Sequence, residues 1–364
     1  MSYENLSIRG FPIKEFENRF TKIQNSMIEN NIDAILITTE ENFHYFSGID
    51  SQFWRSPTRP MYLILPAKGQ SPIAIVPNIM LEAINNTWVK EIYTWPAPQL
   101  VDDGISLLVD KLSKYENIGL PMNIETQLRM PLIHLLEVGK NLNKEFVDVS
   151  KLINDIRIIK SDIEIRKIEY VCKIVSQCFE ELPSRLEKLK QQNITERITI
   201  KEMQISILEK GLDNVKYIVG KSGKNGYSSI IDGPNDTIIL PGNIFTIDTG
   251  SIFDHYYCDF NRNYIINSDE DDQYIQEMNN ILWDATEHAF KMIKPNITFG
   301  DIWHSIMKYM ESKGINRKDY MSYRFGHCIG LQLTELPSIV YNENTILKKN
   351  MVNGSVKLKL YKGN

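Results

Sequence analysis

The chain has 364 residues, which is more than one hydrophobic core usually supports, so its length predicts two domains. Its net charge is −5, with acidic and basic residues interspersed, and this argues against nucleic acid or a membrane surface as a partner. An N-terminus without an apolar leader, the lack of a membrane-length apolar run, and four cysteines without CxxC spacing predict a soluble cytoplasmic protein with free thiols.

The first part of the chain alternates helical and strand patterns. An apolar stripe over residues 16–31 predicts a helix, and residues 33–38 follow as a buried strand. Further segments continue the alternation: strands at 61–66, 71–77 and 117–120, and helices at 104–115 and 130–138. We therefore expect an α/β domain over residues 1–155.

From Lys160 the pattern changes to long amphipathic helices. Ser161, with Glu164 three residues later, has the sequence of a capping box, so we expect a helix to begin there. The other predicted elements are helices at 195–209, 273–293 and 301–313, and strands at 238–240, 244–248 and 256–266. Residues 156–364 therefore predict an α+β domain with antiparallel pairing.

Two aspartates lie in the apolar segment IFTIDTGSIFDHYYCDFNRNY, residues 244–264. Acidic residues are depleted from strands, so Asp248 and Asp259, on the two arms of an expected hairpin, require a partner for their charge. One or two divalent cations would meet that requirement. The alternative is a structural role, in which Asp248 caps a turn and Asp259 pairs with Arg262.

A second polar position occurs in FGHCIGLQLTELP, residues 325–337, where His327 follows Gly326. Glycine lets the backbone approach a ligand closely, and a neutral imidazole is a common ligand of zinc and manganese. An isolated histidine of this kind is more often structural. Together with the two aspartates, His327 becomes a candidate third ligand.

In order and spacing, these segments resemble the creatinase, prolidase and aminopeptidase P family. The resemblance rests on D-x-G at Asp248, on Asp259 eleven residues later, on G-H-x-I-G-L around His327, and on RIIKSDIEIRKI at residues 157–168. NFHYFSGIDSQFW, residues 42–54, is similar to the family's non-catalytic domain. The resemblance implies an α/β N-terminal domain and an α+β pita-bread C-terminal domain of the aminopeptidase and dipeptidase type.

The resemblance also implies a site in which two Asp, one His and two Glu hold two divalent metals, Mn²⁺ or Zn²⁺. Asp248, Asp259 and His327 match the first three ligands. Val356 stands where the first Glu belongs, and the second would fall beyond Asn364. We therefore expect a C-terminally truncated or altered domain that holds one weakly bound metal or none.

Other residues are candidates for substrate handling. Many family members have a second histidine where this chain has Thr334, and Glu335 beside it is expected either to act as a catalytic carboxylate or to cap a turn. Arg262 is expected to support a metal-ligand carboxylate or to form an ordinary cross-strand ion pair. Tyr227 could line the pocket and Trp54 could reach a neighbouring subunit's cleft, but for both we favour a structural role.

The resemblance implies a metal-dependent hydrolase that cleaves C–N bonds of proline-containing peptides and forms a homodimer. Two other functions stay open because two glutamates are missing. One is a non-catalytic relative that keeps the fold for binding or oligomerisation. The other is a hydrolase or lyase of a small N-acyl, amidine or osmolyte-like compound.

Overall fold

The computed structural model of the chain describes residues 8–56, 59–99, 101–189, 193–223, 232–266, 273–315 and 324–353. The chain divides into two compact units. The N-terminal unit is Gly10–Arg157, and the C-terminal unit comprises Ile158–Asn364 together with Met1–Arg9, as far as these ranges are described.

The N-terminal unit is built on a six-stranded sheet. Its strands are β1 (Ala34–Ile37), β2 (Tyr62–Pro66), β3 (Ile73–Pro77), β4 (Glu91–Trp95), β5 (Ile118–Leu120) and β6 (Phe146–Asp148). They lie in the order β4-β3-β2-β1-β5-β6, with antiparallel pairs on both sides of β2 and parallel pairs elsewhere. The predicted α/β character of this part of the chain is confirmed.

Helices pack on this sheet around an apolar core. They are α1 (Ile13–Glu29), α2 (Glu40–Ser47), α3 (Leu81–Asn85), α4 (Ile105–Leu112), α5 (Leu132–Leu142) and α6 (Ser150–Arg157), with 3₁₀ turns at Gln52–Arg55 and Asn78–Met80. One core cluster joins Leu36, Ile64 and Ile75 of the strands to Leu108 of α4 and Val138 of α5. The sequence did not predict α2, because residues 42–47 are all buried and leave no polar stripe.

The C-terminal unit contains four long helices among the described residues: α7 (Asp162–Lys188), α8 (Glu196–Glu209), α9 (Gln273–Met292) and α10 (Phe299–Ser312). The predicted capping box is confirmed, since Ser161 N donates to Glu164 Oε2 at 2.8 Å and Glu164 N donates to Ser161 Oγ at 3.4 Å. Of the helices in the ranges given above, none combines the length and apolarity needed to cross a bilayer.

The strands of this unit pair antiparallel, as predicted. They are β7 (Asn214–Gly223), β8 (Ile244–Phe253), β9 (Tyr256–Tyr257), β10 (Phe260–Ile265), β11 (His327–Cys328) and β12 (Glu335–Ser338). The strand predicted at 238–240 was wrong, because Ile238 makes only a single bridge, to Thr195. The strand predicted at 256–266 is interrupted at Cys258 and Asp259.

One face of the β10-β8-β7 sheet packs on helices. Phe245 and Ile247 of β8 share a core with Val175 and Phe179 of α7 and with Ile200 of α8. Because side chains alternate along a strand, the intervening residues of β8 point from the opposite face. That second face carries the polar residues described below.

The segment before the N-terminal unit packs on the C-terminal unit, whereas the sequence analysis had assigned it to the first domain. Lys167 Nζ of α7 donates to the Ile8 carbonyl at 2.8 Å. Arg9 pairs with Asp213 at 2.6 Å, and its guanidinium lies 4.3 Å from the centroid of the Phe253 ring. No pattern in the sequence could have predicted these polar contacts.

Candidate metal site

Strands β8 and β10 present polar side chains on the sheet face opposite the helices. Asp248 lies opposite Asn261 in the ladder, and Thr246 lies opposite Asn263. Asp259 comes directly before β10, and Asp248 and Asp259 are only 4% and 2% exposed. Two buried carboxylates on one face are costly unless hydrogen bonds or cations compensate them. This face is therefore a candidate cation site.

His327 of β11 lies against one of these carboxylates, that of Asp259. Its Nε2 lies 3.1 Å from Asp259 Oδ2, and its Nδ1 lies 3.0 Å from the Cys328 carbonyl oxygen. Because a carbonyl can only accept, Nδ1 must carry a proton, and a neutral imidazole then directs the Nε2 lone pair at a carboxylate. Two lone pairs face each other unless a proton or a cation lies between them. Metal–ligand bonds of about 2.0–2.2 Å place neighbouring donors about 3 Å apart, so the pair fits a metal.

Tyr217 of β7 is a site residue that the sequence analysis missed. Burial raises its pKa, and the nearby carboxylates of Asp248 and Asp259 raise it further, together with a hydrogen bond to Asp248. The phenol therefore stays protonated and can donate to Asp248 across the neutral range. The alternation of Val215, Tyr217 and Val219 was a signal for the strand, although Ile218 and Gly220 weakened it.

Two glycines of the recognised motifs are explained by close contacts. A Cβ added at Gly250 of D-x-G would lie 2.3 Å from Leu333 Cδ1. A Cβ added at Gly330 of G-H-x-I-G-L would lie 2.7 Å from Glu335 Oε1. Each glycine lets a neighbouring chain segment pack against the site.

Glu335 is held by the protein. Lys160 Nζ pairs with its Oε2 at 2.8 Å, with the side chains 1% and 5% exposed, and Gln332 N donates to its Oε1 at 3.3 Å. Both oxygens thus have partners, so the geometry favours the turn-capping alternative over the catalytic role that we expected. The buried ion pair was missed, because 175 residues separate its members. Thr334 is half-buried and immediately precedes β12.

Arg262 differs from both of its expected roles. It lies opposite Ile247, on the helix-facing side of the sheet, and its guanidinium is 5.1 Å from the centroid of the Phe260 ring. The alternation of side chains directs it away from the face that carries Asp248. Arg262 is therefore exposed and makes a cation–π contact with the Phe260 ring, and it does not contact a candidate metal ligand.

Trp54 packs inside the N-terminal unit. It is buried, its ring centroid lies 5.4 Å from that of Phe43 in an edge-to-face arrangement, and the Arg129 guanidinium lies 5.0 Å from its ring. These contacts agree with the packing role that the sequence favoured. Two other positions, Tyr227 and Val356, lie outside the described residues.

The cysteines near the site are neutral thiols. Burial raises the pKa of Cys172 to about 11, with a further contribution from Asp259, and burial raises the pKa of Cys328 to about 12. Burial also raises the pKa of Cys258, which precedes Asp259. All four cysteines are free, as predicted.

Both parts of the chain match known protein families. The family model described as metallopeptidase family M24 matches residues 166–361, and the model described as the creatinase/prolidase N-terminal domain matches residues 19–159. An Xaa-Pro dipeptidase of Pyrococcus horikoshii is 26% identical over 349 residues, which cover 91% of this chain and 86% of that protein.

Solved structures share the fold. The dipeptidase PepE of Mycobacterium ulcerans has a TM-score of 0.79 at 20% identity, covering 94% of this chain and 88% of its own. The N-terminal domain of the FACT complex subunit SPT16 from Cicer arietinum has a TM-score of 0.74 at 15% identity, covering 94% and 87%. Because the first family model matches more than half of the residues, the chain belongs to metallopeptidase family M24, a family of metal-dependent hydrolases, with a creatinase-type domain before its pita-bread domain.

Proposed function

We propose that this chain hydrolyses C–N bonds of short proline-containing peptides, as an Xaa-Pro-type peptidase, with a divalent cation held by Asp248, Asp259 and His327. The observation that carries the proposal is the 3.1 Å approach of His327 Nε2 to Asp259 Oδ2, with Nδ1 engaged by a carbonyl. The name of the Pyrococcus relative supports the substrate class. Carboxylates with one imidazole suit Mn²⁺ or Zn²⁺.

In this proposal, residues around the cation have separate roles. A bound divalent cation supplies Lewis acidity, which polarises a peptide carbonyl and eases the deprotonation of water. Tyr217 keeps Asp248 oriented, and the ion pair of Lys160 with Glu335 fixes the hairpin beside it. Thr334 stands where many relatives have a histidine that orients the substrate, so we expect weak selection of the departing amine.

We further propose that metal binding is weak and turnover slow. Two carboxylates balance the charge of one divalent cation but leave a second one under-neutralised. Val356, at the place of the first family Glu, cannot supply a ligand oxygen from its side chain. Homodimer formation and a cytoplasmic location remain proposals that rest on family membership and on the sequence pattern.

Metal content and peptide hydrolysis test this function together. We expect the purified 364-residue protein to retain less than one tightly bound divalent ion per chain. We expect it to cleave Xaa-Pro dipeptides slowly and only with added Mn²⁺ or Zn²⁺. Asp248→Asn should abolish that activity because it removes a charged ligand, whereas Arg262→Gln, on the opposite sheet face, should leave it unchanged.

Two results would count against the proposal. Two tightly bound ions with rapid turnover would contradict the weak site. Hydrolysis that persists in Asp248→Asn, or that needs no metal, would contradict the assignment of the site.

A non-catalytic function is the second candidate. The likeness to a subunit of the FACT complex shows that this fold is not confined to proteins named as peptidases. The engagement of both Glu335 oxygens by the protein is also compatible with a binding role. Absence of hydrolysis at saturating metal, in a folded protein, would favour this candidate.

A further inference from the structure

Two aromatic side chains are exposed on the outer face of helix α9. Trp283 is 61% exposed and Phe290 is 55% exposed. Seven residues make almost two helical turns, so both rings project from the same side of α9 and form an aromatic stripe. The opposite side packs inward, where Ala285 and Ala289 share a core cluster with Ile302 of α10. Exposed aromatic rings that line up in this way are typical of an interaction surface.

Charges of opposite sign flank the aromatic stripe. Asp284 follows Trp283, and Lys291 follows Phe290. At about 100° per residue, both charged side chains leave the helix on the same side of the stripe, and both are exposed. Tyr309 Oη of α10 donates to Asp284 Oδ2 at 3.4 Å, which holds that carboxylate beside the stripe. The stripe therefore has a negative end and a positive end.

This pattern is complementary to itself when the helix is reversed. In an antiparallel pair about a two-fold axis, a residue i that faces j implies that j also faces i. Trp283 of one copy then meets Phe290 of the other, and Asp284 meets Lys291, so each contact forms twice. Aromatic residues are enriched in interface cores, and complementary charges at the edge fix the register. A second copy of this chain thus matches the surface in both apolar character and charge.

One charge opposes the pairing. Glu287 is exposed and lies between the two rings on the same side of α9. In the antiparallel register the two copies of Glu287 come close to the axis, where like charges weaken association. We therefore expect a reversible association rather than an obligate dimer.

We propose that α9 is a self-association surface, on which two copies of the chain pair antiparallel with Trp283 against Phe290 and Asp284 beside Lys291. The inference does not depend on the proposed function or on a bound cation, because it uses only the outer face of α9. It goes beyond the homodimer expected from family membership in naming the surface, its register and its charge pairs.

Light scattering of the full chain over a range of protein concentrations tests the inference. We expect Trp283→Gln to raise the dissociation constant at least about thirtyfold, since each pair loses a central aromatic ring twice. Glu287→Gln should lower it about tenfold because it removes the repulsion at the axis. Ile133→Gln is the matched control, since it removes a 66% exposed apolar side chain from α5, and it should associate like the unchanged protein.

Charge reversal tests the antiparallel register. Asp284→Lys and Lys291→Asp should each weaken association about tenfold, because each variant sets two pairs of like charges against each other. An equimolar mixture of the two variants should recover it, since both contacts of a mixed pair again join opposite charges. A loss that the mixture does not recover, or an association that Trp283→Gln leaves unchanged, would overturn the inference, as would a chain that stays monomeric at every concentration. Melting curves of each variant establish that the protein tested is folded.

Discussion

At the scale of single residues, the site depends on side chains whose orientation is fixed by their neighbours. The Cys328 carbonyl accepts a hydrogen bond from Nδ1 of His327. This contact orients the imidazole so that Nε2 faces Asp259. The phenol of Tyr217 lies beside Asp248, and burial together with the carboxylates of Asp248 and Asp259 raises the Tyr217 pKa. Partners of this kind hold a metal ligand in its productive rotamer and commonly matter almost as much as the ligand itself.

Tyr217→Phe is therefore expected to weaken Mn²⁺ binding by about tenfold while the ring still packs. Titration calorimetry would measure the change. Tyr264→Phe is the control, because the Tyr264 hydroxyl donates to the Phe179 carbonyl at 2.7 Å on the helix-facing side of the sheet. That variant should lose about 1 kcal/mol of stability and keep its metal affinity. Equal affinity in both variants would show that Tyr217 does not orient Asp248.

At the scale of elements, the hairpin of β11 and β12 needs outside support, since β11 has only two residues. Cys328 forms a bridge with Asn353, and Ile159 forms one with Met351. The residues before α7 are thus tied to the chain that pairs with β11. The ion pair of Lys160 with Glu335 adds a side-chain link between the same segments.

Lys160→Met is expected to lower the free energy of unfolding by about 3–5 kcal/mol, because it leaves a buried carboxylate without its cation. Urea denaturation would measure this loss, and the double variant Lys160→Met with Glu335→Gln should recover part of it. Lys210→Met breaks a pair with Glu181 that is 26% and 49% exposed, so it should cost about 1 kcal/mol or less. A similar small loss for Lys160→Met would mean that the buried pair contributes little.

Local patterns predicted those elements whose signals lie within a few residues. The capping box at Ser161 located the start of α7, and the apolar run around Asp248 located β8. By contrast, β7 escaped prediction because Ile218 interrupts its alternation and Gly220 is unfavourable inside a strand. The bridge of Ile159 with Met351 joins distant segments, which no local pattern reports.

The candidate site was predictable only in part. The spacing of the motifs identified Asp248, Asp259 and His327, and the structure brings His327 within 3.1 Å of Asp259. The pairing of Glu335 with Lys160 and the direction of Arg262 follow from tertiary contacts and strand alternation. Sequence reasoning therefore named the candidate donors, and it missed the contacts of Glu335 and Arg262.

At the scale of the whole molecule, two family models cover residues 19–159 and 166–361, and each of the two compact units has its own core. In the C-terminal unit, helices α7 and α8 cover one sheet face with apolar side chains, and the other face carries the carboxylates. This division of one sheet into an apolar face and a polar face is the basis of the proposed cation site. The central claim is that Asp248, Asp259 and His327 converge on that cation.

Anomalous X-ray diffraction at the zinc absorption edge, from crystals grown with Zn²⁺, tests this claim most directly. We predict one strong peak about 2.0–2.2 Å from His327 Nε2 and from an oxygen of both Asp248 and Asp259. A well-ordered crystal at saturating Zn²⁺ whose peaks all lie elsewhere, with Asp259 still in direct contact with His327, would contradict it.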